Sequence, residues 1–216
     1  MKKFFTILIA LFISALSFAQ ITGVKTVGSA GDYTTIEAAI AALNSAGVGA
    51  GGVTFNVAAG HTETLTSSMA GTITVTGTAA NPIIFQKSGS GANPLITAPA
   101  LLAATTSDGI IKIAGGDYIT FDAIDLIENA ANTTNKTDWG YALVKASASA
   151  PFDGCQYVTI KNCVITLDKT NTSSIGIYSG NHIATATTSL VITSNDDAMS
   201  NGKFFGNTIS NVYSGI

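Results

Sequence analysis

One short pattern occurs three times in this chain, each time as a pair of β-prone bursts divided by a polar corner. It reads Tyr118-Ile-Thr-Phe121 then Ile124-Asp-Leu126, Tyr157-Val-Thr-Ile160 then Cys163-Val-Ile165, and Lys203-Phe204 then Asn207-Thr-Ile209. Superposition sets Phe121, Ile160 and Phe204 in one column and Leu126, Ile165 and Ile209 in another. Coils that bury like beside like at a recurring position form a solenoid core, so the chain is expected to be all-β, with short strands stacked coil upon coil. The spacing between repeats exceeds the roughly 20 to 30 residues of a minimal coil, so extra length must leave the stack at its corners. Polar segments at 129–138, 147–153 and 180–201 are the expected insertions.

Shorter strands are expected upstream at Val53-Thr-Phe-Asn-Val57, Thr72-Ile-Thr-Val75 and Pro82-Ile-Ile-Phe85, and further first strands at 110–113, 142–145 and 174–178. One helix is expected over about 34–45. There Thr34-Thr-Ile-Glu37 has capping-box spacing, and Ile36, Ala39, Ile40 and Leu43 recur at three and four residues before Gly47. Lying before the first of those strands, it is expected to close the open end of the solenoid as a capping α-helix.

Lys2 and Lys3, an apolar run from Phe4 to about Ser14, and the small residues Ser17 and Ala19 flanking Phe18 have the layout of a signal peptide over residues 1–19, cleaved after Ala19. The run is shorter than the roughly 18 to 20 residues that cross a bilayer, so membrane insertion of the mature chain is not expected. The rest, 20–216, reads as one exported domain, secreted or held at the cell surface. Its formal net charge is negative, −3 for the whole chain, and it contains no arginine. Nucleic acid and anionic membrane, usually gripped by clustered Lys and Arg, are therefore not expected partners. Charged residues make up 11% of the chain against about 25% in an average domain, and small polar residues replace them, as suits stacked strands and tight corners. Cys155 and Cys163 flank one strand at too great a span for a bridge, so two free buried thiols are expected. The sequence breaks off at Ser214-Gly215-Ile216 where another coil should begin, and the expectation is a truncated product whose further domains follow Ile216.

Gly31-Asp-Tyr-Thr-Thr-Ile-Glu-Ala-Ala-Ile40, followed by Val53 to Val57 and by Gly60-His-Thr-Glu-Thr-Leu65, is similar to the opening of pectin methylesterases. Asn81-Pro-Ile-Ile-Phe-Gln-Lys-Ser-Gly89, Gly116-Asp-Tyr-Ile-Thr-Phe-Asp122 and Tyr141-Ala-Leu-Val-Lys-Ala146 resemble secreted bacterial repeat proteins of the pectin-lyase-like superfamily. The resemblance implies a right-handed parallel β-helix and export. It carries no catalytic residue across: the strand aspartates of the esterases, their arginine and the acidic cluster of the lyases have no counterpart here, so no catalytic residue is assigned.

Candidate residues are few. Asp196 and Asp197 form the one adjacent acid pair; with Ser194, Asn195 and Asn201 they offer oxygens to Ca²⁺, the one cofactor the sequence suggests. Trp139 and Tyr141 are candidates for stacking on a sugar. Lys112 and Lys145, matched in successive first strands, would form a basic strip for uronic acids if their side chains point outward. His61 and His182 lack companions and read as structural, Asn162 and Asn207 as corner residues. Asp122 reads as a corner and Asp125 as a solvent-facing residue. The leading expectation is a non-catalytic β-helix scaffold that binds extracellular polysaccharide or mediates adhesion. The alternative is the N-terminal part of a pectin-type carbohydrate-active enzyme, an esterase or polysaccharide lyase, whose catalytic coils are missing.

Overall fold

The computed structural model describes residues 19–100 and 107–216, so all but the last residue of the expected signal peptide lies outside the described residues. The described chain begins with β1 (Ile21–Val27), α1 (Ile36–Ala46) and β2 (Val48–Ala58). Then follow β3 (Thr62–Thr64), β4 (Thr72–Ile73), β5 (Ile83–Ser88), β6 (Leu95–Thr97), β7 (Gly109–Ala114), β8 (Ile119–Asp122) and β9 (Asp125–Ile127). The remaining strands are β10 (Trp139–Lys145), β11 (Thr159–Lys161), β12 (Val164–Thr166), β13 (Ile175–Ile183), β14 (Lys203–Phe205) and β15 (Thr208–Ser210).

Three sheets result, ordered β1-β2-β5-β8-β11-β14, β3-β6-β9-β12-β15 and β4-β7-β10-β13. From β2 onward the chain visits the first, second and third sheet in strict rotation, and each strand pairs in parallel with its counterpart one round later. Among the described residues, a nearly all-β arrangement of three parallel sheets with one helix is compatible with a parallel β-helix. Among the described residues no helix is long and apolar enough to cross a membrane.

The two columns read from the repeats are present. Ile160 stands opposite both Phe121 and Phe204, and Ile165 opposite both Leu126 and Ile209. The first column extends upstream through Phe85 and Phe55, whose rings stack at 4.5 Å, with Phe85 on Phe121 at 5.0 Å. All three rings are fully buried. In-register parallel pairing forces this, because a side chain facing inward in one coil must lie on the inward side chain of the next.

Corners between the first and second sheets need left-handed backbone. Ala123 (φ 57°), Asn162 (φ 58°) and Gly206 (φ 67°) supply it in successive coils. The amide of Asn162 donates to the Asp122 carboxylate at 2.8 Å. Asn207, one residue past the left-handed position, works through its side chain: it donates to the Ile160 carbonyl at 2.8 Å and accepts from the Cys163 N–H at 3.0 Å. Asp125, expected to face solvent, accepts from the Val164 N–H and from the Asn93 amide.

The amphipathic helix is present, but its start differs from the capping box. Thr35 is the N-cap, and its hydroxyl accepts from the Ala38 N–H at 3.0 Å. Glu37 turns away to bond the N–H and hydroxyl of Thr66. The Glu63 carboxylate instead accepts the free N–H groups of Ile36 at 2.6 Å and Glu37 at 3.0 Å, where the positive end of the helix dipole favours an anion. Glu63 stands in the inward column otherwise held by Ile96 and Leu126. A polar residue there is explained by the helix that covers it.

Ile36, Ala39, Ile40 and Leu43 join the main core, and α1 packs on β1, β2 and β4. The helix does not precede the first strand: β1, an edge of the first sheet, was not anticipated. Neither were β3 and β6, whose three residues each carry too little periodicity to register.

Both cysteines are free and buried. Burial pushes the Cys155 thiol up to about 12 and the Cys163 thiol to about 11. Since the thiolate is the reactive form, a disulfide reagent at pH 8 should label neither thiol in the native protein and both after unfolding in urea. Phe85→Ala should destabilise the fold by about 3–5 kcal/mol, read from urea unfolding midpoints, because the ring is enclosed by two others.

Candidate functional site

The third sheet carries most of the residues singled out in the sequence, and its outer face is not open. Residues following β13 fold back over it. A second apolar cluster of Ala114, Trp139, Ala142, Val144 and Ala184 lies beneath that cover. Trp139 is 3% exposed and stacks on Tyr178 with ring centroids 4.5 Å apart, while Tyr141 is fully buried on the inner face and donates its hydroxyl to the Ile124 carbonyl at 2.8 Å. Neither ring reaches a sugar in this arrangement.

The basic strip is corrected too. The two lysines are not matched, because Lys112 stands opposite Ala142 on the outer face whereas Lys145 lies three residues on, in phase with the core residues Tyr141 and Leu143, and they are 1% and 0% exposed. The Lys112 ammonium donates to the carbonyls of Ser107 at 3.3 Å and Ala184 at 3.1 Å, and that of Lys145 to the carbonyl of Asp197. Alternation placed Lys112 outward beside Ala142 but did not match Lys145 to it, and the segment that later covers the outer face was not legible. His182, near the end of β13, packs against Trp139 with ring centroids 5.4 Å apart on the same face. Its Nδ1–H donates to the Ile183 carbonyl at 2.9 Å, which leaves Nε2 to accept the Tyr178 hydroxyl at 2.8 Å.

Of the acid pair, Asp197 is engaged within its own loop. Asp197 is 2% exposed, and its Oδ2 accepts the Thr193 N–H at 2.8 Å, the Thr193 hydroxyl at 2.5 Å and the Ser194 N–H at 3.0 Å. Those donors hold its carboxyl at about 2 and commit one of its two oxygens to its own loop. The Lys145 ammonium on the Asp197 carbonyl adds a positive charge to the same place. Among the described residues, no three of His, Cys, Asp or Glu are disposed to hold a metal ion. His61 pairs with Glu63 at 2.6 Å behind the helix cap, a structural place.

The feature that sequence reading passed over is the outer face of the first sheet. Tyr118 and Tyr157 open the first two repeats. Both sit at a left-handed corner, φ 50° and 55°, and their rings stack at 4.5 Å with planes 12° apart. Asn201 holds the equivalent corner one coil on, with φ 56°. Left-handed backbone favours Asn or Gly and penalises a bulky side chain, so the turn accounts for Asn201 and not for the tyrosines.

Together with Pro82, Thr120, Thr159, Asn201 and Lys203 the pair lines a surface cavity of about 270 Å³. Register explains the grouping. Thr120, Thr159 and Lys203 are opposite one another on β8, β11 and β14, and they face outward beside inward Phe121, Ile160 and Phe204. Tyr157 remains 42% exposed, because the next residue of its column is the short Asn201 rather than a third ring. The pair therefore stands as an aromatic wall beside a floor of hydroxyls and one exposed lysine. The signal in the sequence was a tyrosine at the same place in two repeats, two residues before the outward threonine.

A second cavity, about 470 Å³, lies between the loops at 133–138 and 170–173 and is lined by hydroxyls, amides, Lys136 and Asp138. Asn171 spans it, donating to the carbonyls of Lys136 and Thr137 and to the Asp138 carboxylate. These contacts tie one loop to the next and offer no aromatic surface.

Comparison of the chain with known protein families, curated proteins and solved structures returns no match.

Burial pulls the Lys112 amine down to about 8, from 10.5 for a free lysine. Between these pH values the unfolded chain binds more protons than the folded one, so this residue makes stability rise with pH across that window. The urea midpoint of the native protein minus that of Lys112→Met should thus increase from pH 8 to pH 10. A flat difference would mean that the amine is not sealed beneath the cover.

Proposed function

We propose that this chain is an exported, non-catalytic scaffold that binds extracellular polysaccharide through the outer face of its first sheet, and so attaches to glycan-bearing surfaces. In the same reading the three sheets wind as a right-handed parallel β-helix of the pectin-lyase-like type. The right-handed sense is the one that parallel crossover connections take almost without exception, and the motifs at 31–40, 81–89 and 116–122 support the likeness. The stretch from Lys2 to Ala19 supports export.

The stacked pair of Tyr118 and Tyr157 beside the 270 Å³ cavity carries the assignment. Sugar rings present C–H faces that pack on aromatic rings and hydroxyls that need hydrogen-bond partners. The wall of tyrosine and the floor of Thr120, Thr159 and Lys203 answer both requirements. Tyrosine at a corner where the backbone prefers Asn is strain retained without benefit to the turn, and such strain is typical of binding positions.

The test separates binding from folding, because the corner itself suggests the variant. Tyr157→Asn places at this corner the residue found at Asn201, and it should leave the thermal midpoint unchanged or raised. In native gels cast with xylan, β-glucan, glucomannan, alginate or pectin, the native protein should be retarded by at least one of these polymers. Tyr157→Asn should lose roughly tenfold in affinity for it, the worth of one aromatic contact. Absence of retardation in all five gels, or unchanged retardation of the variant, would overturn the assignment.

A further inference from the structure

Resting on that reading, we propose that the ligand is the interior of a linear glycan laid along β11 and β14, with one ring against Tyr157 and a later ring against Phe205. Phe205 is 54% exposed and is the outward residue at the far end of β14. The register puts Lys161 opposite Phe205, Thr159 opposite Lys203, and Gln156 opposite Ser200 just before the Tyr157 corner. Tyr157 and Phe205 thus stand at opposite ends of the same two strands, about 13 Å apart along the strand direction and one strand spacing, about 4.8 Å, across it.

Between the two aromatics the floor is polar throughout. Thr159 and Lys203 lie side by side in its middle. Lys161 follows, its ammonium 3.0 Å from the Asp122 carboxylate. Asn162, whose N–H donates to the Phe205 carbonyl at 3.2 Å, continues the surface into a further cavity of about 440 Å³ lined also by Gln86, Lys87 and Asn93. A single sugar would use one aromatic and leave the other idle. Two exposed rings joined by a strip of hydroxyls and ammonium groups match a chain of several rings.

The experiment uses whichever of the five polysaccharides retards the native protein, with fragments of that polymer from one to six rings added as competitors. Competition should be weak for one and two rings and should strengthen roughly tenfold by four to six rings, where a second aromatic comes within reach. Phe205→Ala, a change at an exposed side chain, should weaken retardation by the polymer about tenfold and erase the gain with length, while Tyr157→Asn should weaken short and long fragments alike. Equal competition by two and six rings, failure of six rings to compete, or unaltered retardation of Phe205→Ala would each overturn the extended path. None of these results touches the Tyr157 assignment, which falls only if the native protein binds none of the polymers or Tyr157→Asn binds as well as it does.

Discussion

In-register parallel stacking is the constraint from which the rest of this structure follows. Each strand finds its hydrogen-bond partners in the coil before and the coil after, so a residue's environment is set by the residues at the same position one round away. Inside, that places Phe55, Phe85 and Phe121 face to face and Leu126 beside Ile165 and Ile209. Outside, it sets polar and aromatic residues in rows, because the period of two along each strand sends alternate side chains to opposite faces.

The same constraint makes corners repeat. Left-handed residues recur at matched places, Ala123 with Asn162 and Gly206, and Tyr118 with Tyr157 and Asn201. A corner can be filled cheaply by Gly or Asn, so a tyrosine in that position has a cost that packing within the turn does not offset. Stacking two such rings on one another recovers part of it and raises an aromatic wall from an otherwise polar face. Structure and proposed binding thus meet at one backbone requirement.

Departures from pure stacking are local and have separate causes. The first coil is covered by a helix, and Glu63 replaces an aliphatic residue where the free N–H groups of that helix point inward. The third sheet is covered on its outer face by the chain that follows β13, which buries outward Lys112 against the Ala184 carbonyl and supplies the Asp197 carbonyl to Lys145. That cover explains why the residues most conspicuous in the sequence, Trp139 and the two lysines, serve packing, while the proposed binding face lies on the first sheet, where Tyr157 stays 42% exposed.

The sequence by itself determined the columns, the polar corners, the helix at 36–46 and the placing of extra length at 129–138 and beyond 180, because each of these is written in local periodicity. It also held the tyrosines of the candidate site, in plain view at the head of two repeats. Only the tertiary structure decided which outward faces stay open. Whether Lys112 reaches solvent depends on Ala184, 72 positions away, and whether Tyr157 keeps a free face depends on Asn201 in the next coil. Exposure is a property of what lies against a residue, and no local pattern records that.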